Sequence, residues 1–74
     1  MDKYLRDTLD ALELIKQGST EKGREALMLV WKHKWRILKY GVKGIVLIAA
    51  IIGVISNLAN APQAIEKVKD LLDD

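Results

Sequence analysis

Apolar side chains recur with a helical period at the front of the chain. Over residues 2–17, Thr8 and the apolar side chains other than Leu14 fall on one arc of a helix, and the charged and amide side chains fall on the other. Gly18 then supplies a helix stop, and Ser19 or Thr20 supplies a new N-cap. The pattern predicts a first helix at residues 2–17 and a break at Gly18–Ser19.

A second amphipathic helix is predicted at residues 20–40. Its apolar face comprises Ala26, Leu27, Val30, Trp31, Ile37 and Leu38. A different arc carries four cations, Lys32, Arg36, Lys39 and Lys43. Trp35 flanks these cations, and an indole beside ammonium groups suits the headgroup level of a membrane. The same arc would also suit the solvated face of a helical bundle.

Residues 44–61 contain no charged side chain. The third helix, predicted at residues 42–58, is therefore apolar nearly all round, which is typical of the buried centre of a small bundle or of a bilayer span. A span needs about 20 residues of helix. Gly41 and Gly44 either form a corner before this helix or lie inside one long helix.

The last helix is predicted at residues 62–72, with Pro62 in its first turn. Together these elements predict an all-α fold, a compact bundle of about four short helices in a single domain over residues 1–74. The alternative fold combines amphipathic helices with one transmembrane helix.

Charge is distributed unevenly along the 74 residues, although the formal net charge is only +2. Residues 26–43 hold five bases and no acid. A net charge near zero argues against a nucleic-acid binder, whereas a local cationic segment favours an anionic phospholipid membrane as the partner. The chain has no cysteine, which excludes disulfides and thiolate chemistry.

No arrangement of residues typical of catalysis is present in the sequence. His33 is the only histidine, and Asp73–Asp74 is a carboxylate pair at the chain end. Neither has the partners or the spacing that a metal site or a general base requires. We expect a protein that is not an enzyme, with no cofactor, no metal and no small-molecule substrate.

Two stretches resemble a known family. Lys22-Gly23 is followed, after seven residues, by Trp31-Lys32-His33-Lys34 and then Ile37-Leu38-Lys39-Tyr40. Further on comes Asn60-Ala61-Pro62-Gln63-Ala64-Ile65-Glu66. These motifs, within residues 22–40 and 60–72, are similar to those of leaderless bacteriocins of the aureocin, lacticin Q and epidermicin type.

The resemblance implies a saposin-like set of helices, made without a signal peptide, that disrupts the membranes of target cells. It also implies a membrane-contacting role for Trp31, Lys32, Lys34, Lys39 and Tyr40. The start of the chain agrees, because Met1-Asp2-Lys3 leads into an amphipathic stretch and not into a signal peptide.

The first hypothesis is a secreted, membrane-active antimicrobial protein that permeabilises the bilayer. Its membrane-contacting residues are Trp31, Lys32, Lys34, Trp35, Arg36, Lys39, Tyr40 and Lys43. Its apolar insertion residues are Ile45, Ile48, Ile51, Ile52 and Ile55, released from the bundle core. Self-association is left open.

The second hypothesis is a small single-pass membrane protein, a phage or plasmid structural or accessory protein. The flanking lysines would place its N-terminus in the cytoplasm. A third is a soluble helical interaction module, which the mean hydropathy of +0.05 permits.

The isoleucines of the third helix distinguish the bundle from the span. We expect Ile48, Ile51, Ile52 and Ile55 to share one side of this helix. In a bundle that side would pack against Leu9, Leu12, Leu27 and Val30. An aspartate at Ile52 would then be buried and would unfold the protein.

Overall fold

The computed structural model describes residues 2–73, and within this range the chain is helical. The helices are α1 (Asp2–Lys16), α2 (Thr20–Trp31), α3 (Lys34–Leu38), α4 (Val42–Ser56) and α5 (Ala61–Asp73), with a 3-10 turn at Leu58–Asn60 before α5. They form one compact body of 31 × 23 × 19 Å. The predicted all-α, compact fold class is confirmed.

The core lies where α1, α2, α4 and α5 meet. Helix α1 packs mainly against α2 and α5, and α4 lies along α5. Large side chains with less than 2% of their surface exposed come from each of the five helices: Leu5, Leu12, Leu27, Ile37, Leu47, Ile51, Val54 and Val68. Thr8 is buried among them, and its hydroxyl donates a 2.7 Å hydrogen bond to the carbonyl oxygen of Tyr4.

The predicted break after the first helix is confirmed at Gly18. This residue has a φ of 97°, in the left-handed region. Its N–H donates to the Ile15 carbonyl, and the N–H of Ser19 donates to the Leu14 carbonyl at 2.8 Å. These two bonds form a Schellman motif. Ser19 occupies the N-cap position of α2, but its side chain makes no capping bond.

We expect Gly18→Ala to lower the free energy of unfolding by about 1–2 kcal/mol, because alanine pays a steric penalty in the left-handed region. Gly18→Asn should cost less, since asparagine tolerates this conformation. Urea titration of the three proteins gives the comparison. Equal midpoints for the parent and the alanine variant would contradict the role assigned to Gly18.

The single helix predicted at residues 20–40 is wrong. The chain makes two helices there, α2 and α3, separated by a turn at Lys32 and His33. His33 has φ −99° and ψ 18°, and its N–H donates to the Val30 carbonyl three residues back. The turn changes the direction of the chain, so that α3 crosses the start of α4. The bundle thus has five helices and not four.

Gly41 forms the corner before α4, with a φ of 79°. Gly44, by contrast, lies inside α4, where a Cβ would overlap the carbonyl oxygen of Ile37. Its missing side chain is what allows α3 to contact α4 so closely. The sequence left two arrangements open for these glycines, a corner or a single long helix. The corner is correct for Gly41, whereas Gly44 lies within α4 and allows α3 to pack closely against it.

Helix α4 ends at Ser56, two residues earlier than predicted. The Asn60 amide donates to the Gly53 carbonyl at 3.1 Å, and the Asn57 side chain accepts from the N–H of Ala59 at 3.0 Å. These polar side chains close the helix end. Pro62 is the second residue of α5, in the first turn as predicted.

The transmembrane alternative is not supported. Helix α4 has 15 residues, and no helix within residues 2–73 is long and apolar enough to cross a membrane.

Candidate membrane-binding surface

Helix α4 exposes an apolar face. Val42 is 76% exposed, Ile45 57% and Ile52 47%. Ala49 and Ile55 complete this surface, which we call the outer face of α4 (Val42, Ile45, Ala49, Ile52 and Ile55). It contains no charged side chain and extends over about 20 Å of helix. Contiguous exposed apolar surface on a small protein marks a site of interaction with a membrane or a partner.

The five isoleucines of α4 do not share one side. Ile48 and Ile51 face the core, and Ile51 has no exposed surface. Ile45, Ile52 and Ile55 lie on the outside. The expectation that Ile52 and Ile55 are buried with Ile48 and Ile51 is therefore wrong. A residue step of 100° around a helix is enough to move Ile52 out of the core.

The basic segment, residues 32–43, follows the turn between α2 and α3, then α3, and then the first turn of α4. Lys32, Arg36 and Lys39 are exposed, whereas Lys34 and Lys43 are partly buried. The contact between Ile37 and Gly44 holds α3 against the start of α4. Lys39 and Lys43 therefore lie at the same end of α4 as Val42, the first residue of the outer face.

Two indole rings share one lysine. The Nζ atom of Lys34 lies 5.0 Å from the ring centre of Trp31 and 5.9 Å from that of Trp35. Both distances fall within the range of cation–π attraction. Trp31 is partly buried, and Trp35 is 70% exposed. Trp35 thus presents a large amphipathic ring beside a cation, which suits the level of the lipid headgroups.

Tyr40 and His33 have neighbours on α1. The Tyr4 ring lies 5.7 Å from the His33 ring and 6.5 Å from the Tyr40 ring, measured between centroids. Tyr40 is still half exposed. Its ring therefore lies beside α1, and its position in the chain is two residues before the start of the outer face.

Arg36 lines a groove between α1 and the α2–α3 region. The groove has a volume of about 530 Å³, and its polar lining includes Lys3, Asp7, Asp10 and Arg36. Opposite charges therefore face one another there. Arg36 is one of two predicted cations that share a groove with acidic side chains; the other, Lys32, lines a second groove with Glu21 and Glu25.

The sequence reasoning missed Val42, the most exposed large apolar side chain in the described part of the chain. It also missed Met28 and Leu29, which α2 exposes near Glu25 and Lys32. The signal in the sequence that could have identified Val42 is its position directly after the corner glycine, at the start of a helix.

Within the described residues, no group of three or more histidine, aspartate or glutamate side chains is placed to hold a metal ion. Comparison of the chain with protein-family models, with curated proteins and with solved structures gave no significant match. Function must therefore be argued from the surface itself.

Proposed function

We propose that this chain is a membrane-active antimicrobial protein that binds anionic phospholipid and permeabilises the bilayer. The observation that carries the proposal is the outer face of α4, apolar and exposed, beside a basic segment without acids. The resemblance of residues 22–40 and 60–72 to leaderless bacteriocins supports the same function. The proposal includes a saposin-like mode of action and secretion without a signal peptide.

Attraction is the first step of the proposed mechanism. Each lysine or arginine near an anionic surface contributes about 1 kcal/mol. Lys39 and Lys43 lie at the end of α4 where the outer face begins, and Lys32 lies in the turn before α3. Trp35 then enters the headgroup layer.

Insertion follows without unfolding. Because Ile45, Ile52 and Ile55 are already exposed, they enter the acyl region while Ile48 and Ile51 stay in the core. Burial of apolar surface contributes about 25 cal/mol per Å². A helix wedged into one leaflet expands that leaflet, and leakage results. This mechanism depends on binding alone, so it requires neither a catalytic residue nor a cofactor.

Charge reversal tests the attraction step. We expect the triple variant Lys32→Glu, Arg36→Glu and Lys39→Glu to lose at least about 3 kcal/mol of binding to vesicles of phosphatidylglycerol, more than a hundredfold in affinity. All three side chains are exposed, so circular dichroism should stay unchanged. The measurement is a vesicle titration at low salt, where exposed charges act most strongly.

A matched control is Lys16→Glu, Lys22→Glu and Lys69→Glu, which changes the net charge equally at exposed sites outside the basic segment. Its binding should fall much less than that of the first triple variant. Equal losses of binding in the two triple variants would refute attachment through the basic segment. They would show that only the net charge of the protein matters. Unchanged binding in both would refute electrostatic attachment.

A further inference from the structure

Helix α2 exposes a patch that contains charges of both signs and two apolar side chains. Six exposed residues line one open groove of about 670 Å³ along this side of the helix, and we call them the α2 patch: Glu21, Arg24, Glu25, Met28, Leu29 and Lys32. Met28 is 49% exposed and Leu29 is 60% exposed. The buried residues of α2, Gly23, Leu27 and Val30, lie on the opposite side of the helix. The α2 patch therefore projects from the body of the protein.

The charges of this patch are separated by sign along the helix. Glu21 and Glu25 lie in the first half of α2, and Lys32 follows its last residue with helical backbone angles of φ −60° and ψ −23°. At 100° per residue, the stripe that these three side chains share with Met28 is about 60° wide. The order along this stripe is acid, acid, apolar, base. Arg24 lies at the edge of the patch, three residues after Glu21.

The charges of the stripe are poorly paired within α2. Glu21 and Glu25 are four residues apart, a spacing at which like charges repel each other. Lys32 has no acid three or four residues away in either direction, and Glu25 lies about 10 Å from it along the helix axis. Over that distance salt screens much of their attraction. A surface that brings a carboxylate close to Lys32 and a cation close to Glu25 would therefore be stabilised by both contacts.

A second copy of this chain provides that surface. When the second copy is antiparallel, its α2 patch has the reverse order of charges, so each acidic end meets a basic end. A parallel copy would instead bring like charges together. An anionic membrane does not fit this patch, because it would repel the two exposed carboxylates. The patch holds two acids and two bases, so no net charge opposes contact between identical copies.

We infer that two copies of this chain pair antiparallel through their α2 patches, about a two-fold axis between Met28 and Leu29. In this arrangement Glu25 lies opposite Lys32 of the second copy, and Glu21 lies one helical turn beyond. Met28 lies opposite Leu29 of the second copy, so an apolar centre is flanked by an ion pair on each side. The same patch serves both copies, as an isologous interface requires. An interface of this small size predicts a weak, reversible dimer.

Exchanging the two charges tests the pairing, with sedimentation equilibrium in low-salt buffer without lipid as the measurement. We expect Glu25→Lys and Lys32→Glu each to raise the dimer dissociation constant about tenfold, because each reverses one charge in both symmetry-related ion pairs. The double variant should return the constant to within about threefold of the parent value, since both pairs attract again. Its net charge equals that of the parent, so net charge cannot explain the recovery. Both side chains are exposed, so circular dichroism should stay unchanged.

Glu66→Lys and Lys69→Glu are the matched controls, because they make the same charge changes at exposed positions on α5. Each should change the dissociation constant by less than about threefold. Single α2 variants that pair as well as these controls, or a double variant that pairs as weakly as the single ones, would overturn the inference. A parent chain that stays monomeric at about 1 mM protein would overturn it as well.

The pairing goes beyond the proposed function and fails separately from it. Glu25→Lys should lose the dimer and still bind phosphatidylglycerol vesicles at least as well as the parent chain, because it adds a cation to the protein. A dimer that does not bind these vesicles would uphold the pairing and overturn the membrane function. A parent chain that binds the vesicles but stays monomeric without them would do the reverse.

Discussion

Replacing Ile51 by aspartate is expected to unfold the chain, whereas the same replacement at Ile52 is expected to leave it folded. Ile51 has no exposed surface, and Ile52 is 47% exposed. An unpaired carboxylate at position 51, together with the loss of a buried isoleucine, should cost about 5 kcal/mol or more. A domain of this size has a total stability of about 4–11 kcal/mol. At Ile52 the carboxylate reaches water, and the cost is about 0.5 kcal/mol from helix propensity.

Circular dichroism and urea titration of the two variants beside the parent chain measure the difference. The pair is its own control, because the two positions are adjacent and the chemical change is identical. Ile52→Asp should keep the parent spectrum but lose dye leakage from anionic vesicles. An unfolded Ile52→Asp, or a stable Ile51→Asp, would mean that α4 is turned differently about its axis.

The sequence pattern located the amphipathic helices well. In α1 and α5, charged side chains cover the outside, so the arc of apolar residues identifies the buried side directly. Gly18 and Pro62 then fix where helices end and begin, because their backbone preferences are local properties. The existence and order of α1, α2, α4 and α5 followed from such local signals, whereas α3 was not recognised as a separate helix.

The orientation of α4 could not be derived in the same way. Residues 44–56 offer no charge to mark a solvent side, so Ile48 and Ile52 look alike in the sequence. Only the contacts of α4 with α2, α3 and α5 decide which of them is buried. The turn at Lys32 and His33 was missed for a related reason, since neither residue breaks a helix strongly by itself. The crossing of α3 over Gly44 is a tertiary feature.

The candidate surface was predicted in part. The basic segment was evident from the absence of acids at residues 26–43. The different surroundings of its cations were not evident. Lys34 lies against two indole rings, Arg36 shares a groove with Asp7 and Asp10, and Lys32 shares another groove with Glu21 and Glu25. The apolar insertion residues were predicted to emerge from the core, whereas the structure has Ile45, Ile52 and Ile55 exposed from the start and Ile48 and Ile51 in the core.

Replacing Gly44 by alanine is expected to be the most damaging change of a single methyl group in the chain. The new Cβ would overlap the carbonyl oxygen of Ile37, and both partners are main-chain groups that cannot rotate away. Helix α3 would have to move off α4, and the buried side chain of Ile37 would move with it. We expect the free energy of unfolding to fall by about 2–3 kcal/mol, which is the upper end of the usual cost of overpacking a core.

Gly53→Ala is the control for this change, because it adds the same methyl group to the same helix. No atom lies within 4 Å of the added Cβ, so this variant should gain up to about 1 kcal/mol from helix propensity. Thermal unfolding at low concentration compares the two. Since the Ile37–Gly44 contact holds the basic segment at the start of the outer face, Gly44→Ala should also weaken vesicle binding while it is still folded. A Gly44→Ala protein as stable as Gly53→Ala would show that α3 does not need this contact. The contact would then not be what holds the basic segment at the start of the outer face.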